Sequence, residues 1–127
     1  MQLLLDTHAF IWFISGDEAM PSKVIDAIRN IENKCYISIA SIWEIAIKSS
    51  LKKLELKSDF NKIIDLLIEN EIELLPITFA HLQALIQLEF HHRDPFDRLI
   101  IAQGSVEQLT IITKDEQFVK YTNNILW

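Results

Sequence analysis

Four carboxylates stand where apolar runs give way to polar ones: Asp6 after Leu3-Leu4-Leu5, Glu44 in Ser41-Ile42-Trp43-Glu44, Asp97 in Asp94-Pro95-Phe96-Asp97, and Asp115 after Thr113-Lys114. Carboxylates brought close together repel strongly in a protein-like dielectric, so a cluster of them must protonate, pair with bases or bind cations. Hard oxygen donors without supporting cysteines point to Mg²⁺ or Mn²⁺ rather than zinc or copper. A carboxylate-held Mg²⁺ keeps waters and meets phosphate oxygens. The chemistry that suits it is phosphodiester hydrolysis, with one or two metals activating water, binding the scissile phosphate and stabilising the leaving oxygen. No histidine base is then required.

Such chemistry needs elements that bring the four acids to one place. Leu3 to Leu5 is an apolar strand with Asp6 at its end, and Ala9 to Ile14 is apolar on every side, a buried helical turn or a partner-facing segment. Pro21 suits the first turn of a helix carrying Val24, Ile25, Ile28 and Ile31. Tyr36 to Ile39 is a second strand. Ser41-x-x-Glu44 has the form of a capping box opening a helix with Ile45, Ile47, Leu51 and Leu54, and Lys48, Lys52, Lys53 and Lys57 make its far half basic. Ser58 or Asp59 caps a helix whose Phe60, Ile63, Ile64, Leu67 and Ile68 form one apolar stripe, and Ile72 to Leu75 is a third strand stopped by Pro76. Thr78 caps a helix from Phe79 to about Phe90. Asp94 as N-cap, Pro95 at N1 and Asp97 at N3 start another, which runs to about Gln108. Thr110 to Thr113 is a fourth strand, followed by a short helix to about Tyr121 and a small edge strand at Ile125-Leu126.

Strands separated by helices throughout predict an α/β domain with a mainly parallel sheet of four to five short strands and helices on both faces. A helix leading into a parallel strand runs antiparallel to it, so its N-terminus lies at the carboxyl edge of the sheet. Asp6 and Asp115 follow strands, whereas Glu44 and Asp97 open helices. All four acids therefore fall on one edge, the edge where parallel α/β sheets bind ligands.

The bulk composition agrees with a domain of this kind. With 127 residues, half of them hydrophobic, and only two Gly and three Pro, the chain reads as one element-rich domain spanning 1–127 that needs no disulfide staple. The longest apolar run, Ala9 to Ile14, is far short of a membrane span, and no basic region precedes it as in a signal peptide. The lone Cys35 suits a reducing cytoplasm. A net charge of −6 argues against broad, non-specific nucleic-acid binding, although a loaded metal cluster would make the local site positive.

The same residues carry a resemblance. Leu4-Leu5-Asp6-Thr7-His8, Ser41-Ile42-Trp43-Glu44, His92 to Arg98 with Ile101-Ala102-Gln103, and Thr113-Lys114-Asp115 resemble, in order and from Leu4 to Asp115, the signatures of PIN-domain ribonucleases. Among these they are most similar to the VapC-type toxins of toxin–antitoxin pairs. The resemblance implies a PIN-like three-layer sandwich and a Mg²⁺- or Mn²⁺-dependent endoribonuclease. It further implies a homodimer, held inactive by a cognate antitoxin that covers the active site. By motif position, Asp6, Glu44, Asp97 and Asp115 form the acidic quartet. Asp6 and Asp97 are the metal ligands, with Glu44 and Asp115 as further candidates. Thr7, Thr113 and Asp94 are supporting residues; Asp94 is a better helix cap than ligand. Arg93, Arg98 and Lys114 stand beside the ligands as candidate contacts for RNA phosphate. Gly104 replaces the small alanine usual in the family and is expected to loosen its helix.

Simpler accounts stand beside each assignment. Asp6 alone reads equally as a strand-end turn residue, and Glu44 as part of its capping box or of an i,i+4 pair with Lys48. Asp97 and Asp115 each suit a helix start. His8, His91 and His92 read as surface or turn histidines. Trp12, with Phe10 and Phe13, is expected to form a partner-facing apolar surface, whereas Trp43 and Phe96 are core or interface anchors. Two other functions fit less well. A receiver-type signalling domain needs an acidic pair after the first strand and an Asp after the third, where this chain has Asp6 without an acidic neighbour and Leu75-Pro76. A catalytically inactive PIN-like scaffold would have no need of an intact quartet.

Overall fold

The computed structural model describes residues 1–127 and alternates strands with helices from end to end. In chain order these are β1 (Gln2–Leu5), α1 (Thr7–Ser15), α2 (Ser22–Arg29), β2 (Lys34–Ser38), α3 (Ile39–Ser50), α4 (Ile63–Glu69), β3 (Ile72–Leu75), α5 (Phe79–Gln87), α6 (Pro95–Glu107), β4 (Thr110–Ile112) and β5 (Ile125–Leu126). Single 3₁₀ turns at Phe60–Lys62 and Phe118–Lys120 lead into α4 and out of β4. No helix is long and apolar enough to cross a membrane.

All strand pairs are parallel, in the order β3-β2-β1-β4-β5. β1 is therefore central and covered on both faces, which explains why its leucines run on without alternating. Leu3 and Leu5 pack with Ala9, Phe10, Val24, Ile28 and Ile63 on one side, whereas Leu4 meets Ile100, Ile101, Ile111 and Phe118 on the other. The result is the expected α/β sandwich with helices on both faces.

The strand order also creates the site. From β1 the chain winds outward through β2 and β3, then crosses back to lay β4 and β5 on the opposite side of β1. The carboxyl ends of β1 and β4 flank this reversal, where helices on opposite faces diverge and leave a crevice. The Asp6 amide extends the ladder there by donating to Ile112 O at 3.0 Å.

Several local expectations change. α3 opens at Ile39, not Ser41: Ser38, the last residue of β2, caps it by accepting from the Ala40 amide at 3.0 Å. Ser41 is then inside the helix and buried, so no capping box joins it to Glu44. α5 stops at Gln87, three residues early, because the Leu88 and Glu89 carbonyls turn to the Arg98 guanidinium. The α4 stripe is narrower than its periodicity suggests. Ile63 and Leu67 are buried, but Ile64 and Ile68 face outward. Phe10 is fully buried in the core and cannot belong to a partner-facing surface, while Trp12 and Phe13 are half-buried. Gly104 does not loosen α6. A Cβ at that position would stand 2.9 Å from Ile111 Cδ1, so the glycine lets the helix lie close on β4.

Candidate active site

Asp6 is fixed from three directions. It leaves β1 in extended conformation and caps α1, its Oδ1 accepting from the Ala9 amide at 2.8 Å. Its Oδ2 accepts from the Thr113 hydroxyl at 2.5 Å, and Thr113 Oγ1 in turn accepts from the Asp115 amide at 3.0 Å. Burial raises the Asp6 pKa above the usual carboxylate value, the Thr113 and Ala9 hydrogen bonds oppose that rise, and the Asp115 charge adds to it. The strand-end turn and the site are thus the same geometry, because one oxygen shapes the turn while the other meets Thr113.

Asp97 lies in the first turn of α6, opened by Pro95 and capped by Asp94, whose Oδ1 accepts from the Phe96 and Asp97 amides at 2.9 and 3.2 Å. Asp94 therefore acts as the helix cap. The Asp97 pKa is pushed up to about 7, first by burial and then by the Asp94 charge; a hydrogen bond with His92 opposes this, and Asp115 and Asp6 add to it. Asp97 thus senses both Asp6 and Asp115 as like charges. Three acids of the expected quartet lie within electrostatic reach of one another.

Glu44 is held differently. Buried on α3, it accepts from the Thr7 hydroxyl at Oε1, 2.7 Å away, and pairs with Lys48 Nζ through Oε2, also at 2.7 Å. Neither Asp6 nor Asp97 counts it among the charges shifting its pKa. The i,i+4 pair with Lys48 is present, and Thr7, one residue after Asp6, ties Glu44 back to the α1 start.

Asp6 and Asp115 line an open cleft of about 490 Å³ with His8, Trp12, Lys114, Glu116 and Gln117, whereas Asp97 and Glu44 do not border it. Lys114 and Arg93 are exposed. Arg98 is not available to a phosphate in the way its sequence position suggests. It is 4% exposed, donates to Glu89 O at 2.8 Å and to Tyr121 Oη at 3.0 Å, and lies 3.9 Å over the Phe90 ring. Trp43, expected as an anchor, is largely exposed and meets Phe96 edge-on at 5.2 Å.

Two residues at the site escape sequence reasoning. His92 Nε2 stands 3.2 Å from Asp97 Oδ2, and Tyr121 Oη stands 2.9 Å from His92 Nδ1. The signal for His92 is its place five residues before Asp97 across the Pro95 corner. Tyr121 gives none, being distant in sequence.

An all-oxygen set of carboxylates, with Asp6 and Asp97 pushed up first by burial and then by neighbouring charge, fits a hard divalent cation in charge and in chemistry. The acids are not gathered into a ready-made set of three ligands. Asp6 and Asp97, the two ligands expected from the sequence, are the carboxylates that could take such an ion, while Glu44 is engaged by Lys48.

Comparison with known proteins places the fold. The fold is similar to that of VapBC2 from Rickettsia felis bound to a DNA fragment from their promoter, with 16% identity over 99% of this chain and 96% of that one and a TM-score of 0.73. It is also similar to VapBC-1 from nontypeable Haemophilus influenzae, with 15% identity over 100% and 96% of the two chains and a TM-score of 0.71. A toxin–antitoxin complex from Klebsiella pneumoniae gives 15% identity over 98% and 96%, with a TM-score of 0.60. No curated protein sequence matches the chain. The family model of the PIN domain matches residues 3–124, nearly the whole span of sheet and helices, and the chain therefore belongs to the PIN domain family.

Proposed function

We propose that this PIN-domain protein is a Mg²⁺- or Mn²⁺-dependent endoribonuclease acting as the toxin of a toxin–antitoxin pair. The observation that carries the proposal is the gathering of acids at the switch point of a parallel sheet, where Asp97 meets the charges of Asp94, Asp115 and Asp6, a crowding that a divalent cation would relieve. Bound there, the metal would supply an activated water and charge stabilisation for phosphodiester cleavage. Asp6 and Asp97 are its proposed ligands, with Asp115 and Glu44 as further candidates, and Thr113 holds Asp6 rigid. Lys114, exposed in the cleft lining, and Arg93, exposed next to the Asp94 cap, would steer RNA phosphate.

The antitoxin partner is supported by the neighbours, one a toxin–antitoxin complex and two VapBC proteins. It is also supported by a groove of about 230 Å³ between α1, the 55–59 segment and α4, where Ile11, Trp12, Ile14, Leu56, Ile63 and Leu66 stand beside polar and charged residues such as Asp17, Glu55, Lys57 and Asp59. Trp12 borders both this groove and the acidic cleft, so one bound segment could fill the first and block the second.

Homodimerisation is supported by α5. Its Phe79 and Ile86, with Phe90 beyond its end, are about four-fifths exposed (76%, 82% and 80%), while its one titratable residue, His81, is buried. The helix itself carries no exposed charge, the nearest being Glu89 beyond its end, and an exposed apolar face of this kind can meet a copy of itself. The free, buried Cys35 suits action in the cytoplasm.

The test is cleavage of single-stranded RNA and of DNA by purified protein with Mg²⁺, Mn²⁺ or chelator. RNA cleavage that requires metal and is lost in Asp6→Asn and Asp97→Asn is expected. Cleavage that persists in chelator overturns the metal-dependent reading. Failure to cut either nucleic acid with either metal leaves an inactive scaffold.

A further inference from the structure

Tyr121 lies just past the 3₁₀ turn that follows β4, and its hydroxyl reaches the corner before α6. Three N–H donors converge on that one oxygen: the His91 amide at 3.1 Å, the His92 amide at 3.2 Å and Arg98 Nη1 at 3.0 Å. Amides and a guanidinium can only donate, so they occupy the acceptor capacity of the phenol oxygen. The phenol's own proton must go elsewhere. His92 Nδ1 lies 2.9 Å away, whereas the alternative acceptor, His92 O, is at 3.5 Å.

We propose that Tyr121 is a positioning residue for Asp97, acting through His92, whose neutral tautomer it fixes. Donation from Tyr121 to Nδ1 leaves that nitrogen without a proton and puts the ring N–H on Nε2. Nε2–H then donates to Asp97 Oδ2 at 3.2 Å. The opposite tautomer would add a fourth donor to Tyr121 Oη and would aim the Nε2 lone pair at the Asp97 carboxylate.

The relay is anchored at its far end. Arg98 cannot lose its charge and is buried against Phe90, with its guanidinium spent on Glu89 O and Leu88 O, so the Tyr121 oxygen is held by a fixed donor. The Tyr121 ring also meets both histidine rings, at 4.8 Å for His91 and 5.4 Å for His92. Arg98, Tyr121, His92 and Asp97 thus form one directed chain of donors ending on the carboxylate. A partner that orients a ligating group from behind typically matters by about 10–100-fold in metal affinity or activity. That consequence rests on the nuclease reading above; the tautomer does not.

The test is ¹⁵N–¹H correlation of the imidazole nitrogens in metal-free protein, with Mn²⁺ affinity measured separately from the EPR signal of the free ion. A pyridine-type Nδ1 and a pyrrole-type Nε2 are expected for His92. Tyr121→Phe, which keeps the ring and removes only the hydroxyl, is expected to shift His92 toward a mixed tautomer and to weaken Mn²⁺ binding about 10-fold or more. In a His92→Gln background, whose side-chain amide can still donate to Asp97, Tyr121→Phe is expected to have no further effect on Mn²⁺ affinity. A protonated Nδ1 in the wild-type protein overturns the proposal, and this spectrum decides even if Tyr121→Phe fails to fold. An equal loss of affinity in both backgrounds also overturns it, because Tyr121 would then act by another route. A correct tautomer in a protein that cuts no RNA leaves the relay standing and removes the nuclease.

Discussion

The Thr113 hydroxyl donates to Asp6 Oδ2 at 2.5 Å, joining the ends of β1 and β4 across 107 positions of sequence. Thr113→Val keeps the shape of the side chain and leaves one oxygen of a buried carboxylate unpaired. Stability is expected to fall by about 1–3 kcal/mol, the cost of an unsatisfied buried polar group. Urea unfolding measures this, and Thr113→Ser, which retains the hydroxyl, is expected to recover most of it.

The raised Asp97 pKa predicts a pH dependence of the metal-free protein. In the unfolded chain this carboxyl ionises near 3.8, and in the folded protein near 7. Between those values the folded state holds the extra proton, so stability falls as pH rises from about 4 to about 7 and levels off above. Asp94, Asp115 and Asp6 drive the rise together with burial, and His92 opposes it. Asp97→Asn is expected to flatten this part of the profile and to be more stable than wild type above pH 7, read as the urea midpoint at each pH. Saturating Mn²⁺ is expected to do the same for the wild type.

The arginines beside the site are expected to separate. Arg98→Met removes donors from the Glu89 and Leu88 carbonyls and from Tyr121, and is expected to cost roughly 2–4 kcal/mol of stability. Arg93→Ala and Lys114→Ala are expected to leave the melting temperature nearly unchanged. They should instead lower kcat/KM for RNA and reduce its dependence on salt. Thermal melts and cleavage rates across a salt series distinguish the two behaviours.

The apolar face of α5 predicts self-association. Ile86 is 82% exposed, so Ile86→Glu adds a charge without disturbing the core. The wild type is expected to run as a dimer and the variant as a monomer in size-exclusion chromatography with light scattering. Their urea midpoints, extrapolated to low protein concentration, should coincide.

The sequence carries what local chemistry decides and little of what distant partners decide. Asp94 is legible as a cap because Pro95 and Asp97 follow it at fixed offsets, and the cap is there. Asp6 is legible because an apolar strand ends on it. Ser41 misleads because Ser38, at the strand end, offers its hydroxyl to the helix first. Arg98 misleads because its place beside Asp97 suggests substrate, whereas its orientation is set by carbonyls freed where α5 ends, a tertiary fact. The outward face of α5 has the same cause. Helical spacing tells which residues share a stripe, but His81 wins the inward position through Glu107, Thr78 and Gln103.

The central position of β1 has a consequence in time. Thr113 is translated 107 residues after Asp6. At ribosomal rates of about 5–20 residues per second, that interval is roughly 5–20 s. During it the middle of the sheet has no β4, Asp6 has no hydroxyl to meet, and the candidate site is not yet assembled. On the proposed nuclease reading, a nascent chain has no complete site with which to cut the message that makes it. The α1–α4 groove, by contrast, is complete in sequence by about Glu69, well before Thr113 can reach Asp6.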